Sequence, residues 1–186
     1  MQELKILACI FLFIFITIAS IDGIYFHLYK YKLFAIKESK KEHLLHTANS
    51  FLFPFTVLFL FLDTFQGLYL WIGIFLTLLT LVIEFLDVFE ENKSRKNLGG
   101  LTSLEYSMHF AMSGLRATFT TLILVSKPQQ HWSIFKNGLA SEIQLSEFDY
   151  TKFMVYPIFV IGIIVFLIHF SLIFYKNDSI KEIKMI

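Results

Sequence analysis

The chain has 186 residues, of which 56% are hydrophobic, 23 are Phe and only 17% are charged, against roughly a quarter in ordinary soluble domains. That balance excludes a soluble globular domain, whose core cannot hide so much apolar surface, and it excludes a disordered chain. A single cysteine, Cys9, excludes a disulfide framework, and a net charge of +1 offers no basic surface to nucleic acid.

The remaining class is an all-α, polytopic membrane helix bundle forming one domain over residues 1–186. A membrane helix needs about 20 mostly apolar residues, and five segments qualify. The first runs from about Leu4 to Tyr29. Its weakly charged start and an apolar run that continues past Ala19-Ser20 favour a retained span over a cleaved signal peptide. The second runs from about His46 to Leu62 and the third from Leu68 to Phe89. Between them Asp63-Thr64-Phe65-Gln66-Gly67 reads as a tight polar turn. The fourth runs from Leu101 to Val125, stopped by Ser126-Lys127-Pro128. A hydrophilic loop at about 127–152 follows, with Trp132 and Phe135 suited to a membrane interface, and the fifth span runs from about Phe153 to Tyr175.

Orientation follows from the distribution of Lys and Arg. Segment 30–45 holds Lys30, Lys32, Lys37, Lys40 and Lys41; segment 90–100 holds Lys93, Arg95 and Lys96; the tail holds Lys176, Lys181 and Lys184. Those eleven fall on one side of a five-span chain, against Lys5, Lys127, Lys136 and Lys152 on the other. The bias predicts an N-terminus outside and a C-terminus in the cytoplasm, in a plasma or bacterial inner membrane.

With that topology the ionisable residues inside the spans collect at one level, and each is a functional candidate by its cost. Asp22 and His27 lie near the end of the first span, and Glu42, His43 and His46 at the start of the second. Glu84 and Asp87 end the third, Glu105 and His109 begin the fourth, and His169 is near the end of the fifth. At 1.5 Å per residue they fall within a slab roughly 10–12 Å deep. Helical phase tests whether they converge. Glu42, His46, Ser50 and Pro54 share a stripe; so do Gly73, Thr77, Thr80, Glu84 and Asp87; so do Glu105, His109 and Arg116. Asp22 and His27 fail the test, being about 140° apart on a regular α-helix, unless the helix loosens at Gly23.

Imidazole with carboxylate is the ligand set of Fe, Zn and Mn, whereas Mg and Ca favour oxygen alone. Clustered acids repel unless a cation or proton neutralises them. The expected ligands are Asp22, His27, Glu42, His46, Glu84, Asp87, Glu105, His109 and His169, enough for two ions rather than one. Helix bundles build such centres from inward Glu and Glu-x-x-His motifs. Here Glu42 to His46 and Glu105 to His109 are one residue longer, so the parallel is architectural. Glu105 is also a candidate general base. Arg116 has two competing roles, a structural ion pair or an anchor for an anionic substrate group. The composite expectation is a membrane metalloenzyme, hydrolytic or redox, acting on a lipid, quinone or other apolar molecule. The alternatives are haem b held by His pairs such as His46 with His109 or His27 with His169, a transporter, and a non-catalytic assembly subunit.

Overall fold

The computed structural model describes residues 1–135 and 150–175, which are helical apart from turns and short connections. Helix α1, Gln2–Ser20, continues without a break into a π-helix over Ile21–Lys30. Then follow α2, Lys40–Phe61; α3, Leu68–Ser94; α4, Ser103–Val125; and α5, Tyr150–Ile173. Short 3₁₀ turns at Leu33–Ala35, Lys96–Leu98 and Gln129–Trp132 complete the connections. All five long segments are long and apolar enough to cross a membrane. Residues 136–149 of the expected hydrophilic loop, with Lys136, and the tail lysines Lys176, Lys181 and Lys184 lie outside the described residues.

Along the middle of the helices large apolar side chains face outward, while a set of ionisable groups is inside. Phe110 is 84% exposed and Phe13 67%, with Phe75, Phe85 and Phe153 similarly open, while Asp22, His27, Glu42, Glu105 and Arg116 are buried. That inversion suits a chain whose surroundings are hydrocarbon rather than water. Hydroxyls along the spans turn back on their own helices. Thr47 donates to His43 O at 2.8 Å, Thr77 to Gly73 O at 2.9 Å and Thr80 to Thr77 O at 2.8 Å. These groups are thereby satisfied without a partner from another helix.

Helix α2 lies between α3 and α5, while α1 packs along α4. Towards one end the two layers meet through a dry core of Ala8, Leu12, Phe15, Val57, Leu60, Phe61, Leu70, Phe119, Ile123 and Val155. The α2–α5 seam is tight where Gly162 faces the Pro54 ring; a Cβ there would overlap Pro54 Cγ and sit 3.1 Å from its Cβ. Pro54 itself lies inside α2 without breaking it. The same end is clamped by Asp63, which meets Lys5 and, at 2.8 Å, Lys127. Burial alone would raise the Asp63 pKa, but the two ammonium groups outweigh it and hold the carboxyl below its usual range. The expected polar turn is therefore also an ionic lock, closed by Gly67 N donating to His131 O at 2.8 Å.

Two helices run further than hydropathy indicates. Helix α2 starts at Lys40 rather than His46, and α3 ends at Ser94 rather than Phe89. Hydropathy marks only the greasy part of a helix, whereas here the polar extensions pack inwards. Glu42, Glu91 and Ser94 are buried, and Ser94 donates to Ser39 Oγ at 2.6 Å.

Candidate metal centre

At the end opposite the Asp63 lock, four helices direct carboxylates and imidazoles into one layer. The first contribution depends on the π-helix. Bonds from i to i+5 replace i to i+4, as in Tyr31 N to Phe26 O at 2.9 Å, so each turn takes more residues and positions five apart come closer to one face than the α-helix allows. Asp22 and His27, which a regular helix would separate, are thereby aligned, with Asp22 Oδ2 3.6 Å from His27 Nε2. Helix α2 supplies Glu42 and His46 one turn apart, α3 supplies Asp87 and Glu91 one turn apart, and α4 supplies His109.

These seven side chains close a ring. His27 Nε2 is 3.9 Å from Glu42 Oε1, and the His27 and His46 rings meet edge to face with centroids 3.9 Å apart. His46 Nε2 is 2.9 Å from Asp87 Oδ2. His109 Nδ1 is 3.3 Å from Glu91 Oε1, and its Nε2 is 3.3 Å from Asp22 Oδ1, which completes the circuit. Within the ring three sets of donors converge: Asp22 with His27 and His109; His27 with Glu42 and His46; and His46 with Asp87 and Glu91. In each set the donor atoms lie within 4.8 Å of one another. Ligands about 2.1 Å from a metal ion are separated by about 3 Å at right angles and about 4.2 Å across it, so modest side-chain shifts suffice. Among the described residues neither nitrogen of buried His27 and neither oxygen of buried Glu42 finds a hydrogen-bond partner, although Arg95 lies 3.4 Å from Glu42 Oε1. Buried polar atoms are costly when left without a hydrogen bond.

The other expected ligands stand outside these sets. Glu105 is the N3 residue of the α4 capping box: Thr102 N donates to its Oε2 at 3.0 Å, and Glu105 N donates to Thr102 Oγ1 at 3.3 Å. Its Oε2 also accepts from Tyr31 at 3.2 Å, and its Oε1 is 3.4 Å from Arg95. Helix initiation and a buried arginine thus account for Glu105. Glu84 pairs with Arg116 at 2.8 Å, so the arginine has the structural ion pair. His169 sits beside the layer, its ring 5.3 Å from that of His43, and its carbonyl oxygen is 3.1 Å from His43 Nε2.

Two participants carry no weight in the sequence reading. Glu91 fell beyond the expected end of the third span. Yet the spacing 73, 77, 80, 84, 87 continues by four to 91 and by three to 94, and the helix follows it. Arg95 counted only as a topology charge. It is in fact 1% exposed, lies 3.4 Å from both Glu42 and Glu105, and stacks over Tyr31 at 4.4 Å. No spacing pattern marks it, because it comes from the turn after α3.

Beside the ring lies a cavity of about 250 Å³ that borders on all five helices. Asp22, His46, Asp87, Glu91 and His109 form its polar end, with Arg116, Glu84 and Asn49 also in its wall; Phe53, Ile16, Ile158 and Ile161 make it apolar elsewhere. No protein-family model matches the chain, and searches of curated proteins and of solved structures found no match. Fold and site together describe a helical protein with five potential membrane spans and closely grouped histidines and carboxylates.

Proposed function

We propose that this chain is an integral membrane metalloprotein, with its N-terminus outside and its C-terminus cytoplasmic. Its ring of four carboxylates and three histidines holds two divalent ions of the Fe, Zn or Mn class. The centre acts on an apolar substrate admitted to the adjoining cavity. The observation that carries this reading is the closed ring of Asp22, His27, Glu42, His46, Asp87, Glu91 and His109, in which three ligand sets share members. Mixed nitrogen and oxygen donors suit these ions, and four carboxylates balance the charge of two of them. Glu91 beside His109 Nδ1 matches the habit of ligating histidines to give their second ring nitrogen a carboxylate.

In this reading the ions supply Lewis acidity or redox chemistry. The protein's own residues do the rest. Arg95 holds Glu42 and ties it to the cap of α4, so the second and fourth helices keep their relative rotation. The dry core at the opposite end fixes the helices that carry the ligands. The apolar cavity wall excludes water beside the ring, and Arg116 with Glu84 presents a polar pair to whatever enters.

The test is elemental analysis of protein purified without a His tag, with an optical spectrum of the same sample. About two Fe, Zn or Mn ions per chain are expected, lost in His109→Ala and in Asp22→Asn. Absence of these metals, together with no stabilisation on adding them to chelator-treated protein, overturns the reading. A Soret band would replace it with haem.

A further inference from the structure

The chemistry of the cavity specifies the charge of its occupant. Arg116 is 4% exposed, and its guanidinium is neutralised in the cavity wall by Glu84 at 2.8 Å. Asn49 Nδ2 donates to that same Glu84 Oε1 at 3.5 Å, which fixes the amide so that its oxygen is the free end. Among the described residues, one buried atom on each side chain of this Arg116–Asn49 pair has no hydrogen-bond partner, Arg116 Nε, a donor, and Asn49 Oδ1, an acceptor; His46 Nε2, Asp87 Oδ1 and His169 Nδ1, on residues that line the same cavity, have none either. Both side chains meet the same oxygen, Glu84 Oε1, and all three residues line the cavity. The Arg116 plane is further held by Phe15 and Phe53, whose ring centroids are 5.0 and 5.4 Å from its Cζ.

A carboxylate or phosphate head gains no salt bridge from Arg116, because that guanidinium is already paired with Glu84. A group that accepts one hydrogen bond and donates another answers both free atoms, and a hydroxyl does so. The size of the cavity limits the rest. At about 250 Å³ it is just below the roughly 300–1,000 Å³ of ligand pockets, too small for a whole lipid. Its wall includes Ile24, Val88 and Ile161, each apolar and about half exposed on the outer surface of the bundle. A chain leaving the cavity past these residues continues directly into hydrocarbon.

We propose that the cavity binds the hydroxyl end of an uncharged long-chain alcohol, with Arg116 Nε donating to its oxygen and Asn49 Oδ1 accepting its proton. This deepens the functional reading above by naming the substrate class of the same site. The alcohol enters sideways from the bilayer, its head beside the His–carboxylate ring and its tail remaining among lipid. Arg116 and Asn49 are specificity residues and Glu84 is the positioning residue that orients both.

The test is equilibrium binding of radiolabelled hexadecanol to the purified full chain in detergent, with competition by unlabelled hexadecanoate and hexadecylammonium. Metal content is measured on every sample. One hexadecanol per chain is expected, with neither charged analogue competing at tenfold excess. Asn49→Leu and the charge-conserving pair Glu84→Gln with Arg116→Gln should each weaken binding by about threefold to tenfold, the worth of one hydrogen bond. Hexadecanoate binding as tightly as the alcohol, or unchanged affinity in both variants of proven fold, overturns the proposal. Alcohol binding by a chain without metal would sink the metal reading and leave this one standing. Metal without alcohol binding would do the reverse.

Discussion

Glu90 and Glu91 are neighbours in α3 that face opposite surroundings, and exchanging each for Gln separates a site effect from a helix-end effect. Glu90, itself buried, pairs away from the ring with the exposed Lys41 and Lys93, both at 2.8 Å. Glu91 turns inward, 3.3 Å from His109 Nδ1 and grouped with His46 and Asp87. Gln keeps the size of both side chains and nearly all their packing, so what changes is charge and ligation. If Glu91 ligates an ion or supports His109 as one, its loss weakens metal binding by about 10- to 100-fold. That corresponds to about 1.4–2.7 kcal/mol, and the same amount is lost from metal-dependent stabilisation when the ion is in excess. The assay is metal retained per chain, by elemental analysis, after equilibration against a graded series of chelator concentrations. Glu91→Gln should shift the release midpoint by one to two decades of free metal, and Glu90→Gln should leave it in place. Equal midpoints for wild type and Glu91→Gln would refute the ring as a metal site. Equal losses in both variants would show that the end of α3, not the inward carboxylate, was being measured.

Three further outcomes are expected. Arg95→Met leaves Glu42 and Glu105 without their shared cation, and breaking a buried pair costs about 3–5 kcal/mol; thermal unfolding in detergent should show a large loss, against little change for Lys93→Met or Lys96→Met. Gly162→Ala drives a methyl group into the Pro54 ring and should destabilise by about 1–3 kcal/mol, read as a lower unfolding midpoint with metal content per folded chain unchanged. For Asp63, the folded-state pKa is depressed by Lys127 and Lys5, so its stabilisation is complete above the unfolded value of about 3.9 and is lost as pH falls through the folded one. Asp63→Asn should therefore be less stable than wild type at neutral pH and converge on it in acid, by unfolding measured across pH 2–7. An unchanged gap at all pH values would remove the ionic lock as the cause.

The five helices long and apolar enough to cross a membrane were legible because hydropathy reports long apolar runs, and helical phase reported which faces turn inward. Asp22, His27, Glu42, His46, Asp87 and His109 stand together in the ring, and each is an ionisable group set within or at the edge of an apolar run. What escaped did so for physical reasons. Glu91 lies past the hydrophobic part of α3, where polar composition is ordinarily the signature of water, yet the helix carries it inward. Glu105 looks like a ligand by position and stands outside the three ligand sets; Thr102 three residues earlier forms a capping box with it, a motif that was readable. Arg95 is placed by a turn, and turns carry no periodicity. The Asp22–His27 phase conflict was real on an α-helix. Its resolution rests on a ten-residue π-helix, a backbone choice that residue patterns alone do not reveal.

That π-helix also bears on why the ring would hold ions rather than protons. A π-helix is less favourable than the α-helix it replaces, and such departures concentrate at functional sites. Here it spends regular helix geometry to bring one more carboxylate against an imidazole. For a mere packing network this is a poor exchange, because it adds negative charge to a layer that already holds Glu42, Asp87 and Glu91. Both buried arginines nearby are committed: Arg95 is divided between Glu42 and Glu105, and Arg116 is taken by Glu84. Four carboxylates therefore face three histidines and half of one arginine. An uncompensated buried carboxylate costs several kcal/mol, more than a well-packed bundle end can spare. Two divalent ions, as proposed above, would remove that cost, and their uptake would then be linked to the order of this end of the bundle. The dry core around Leu12, Leu60 and Phe119 shares no residue with the ring, so it would keep the helices assembled while such a site filled.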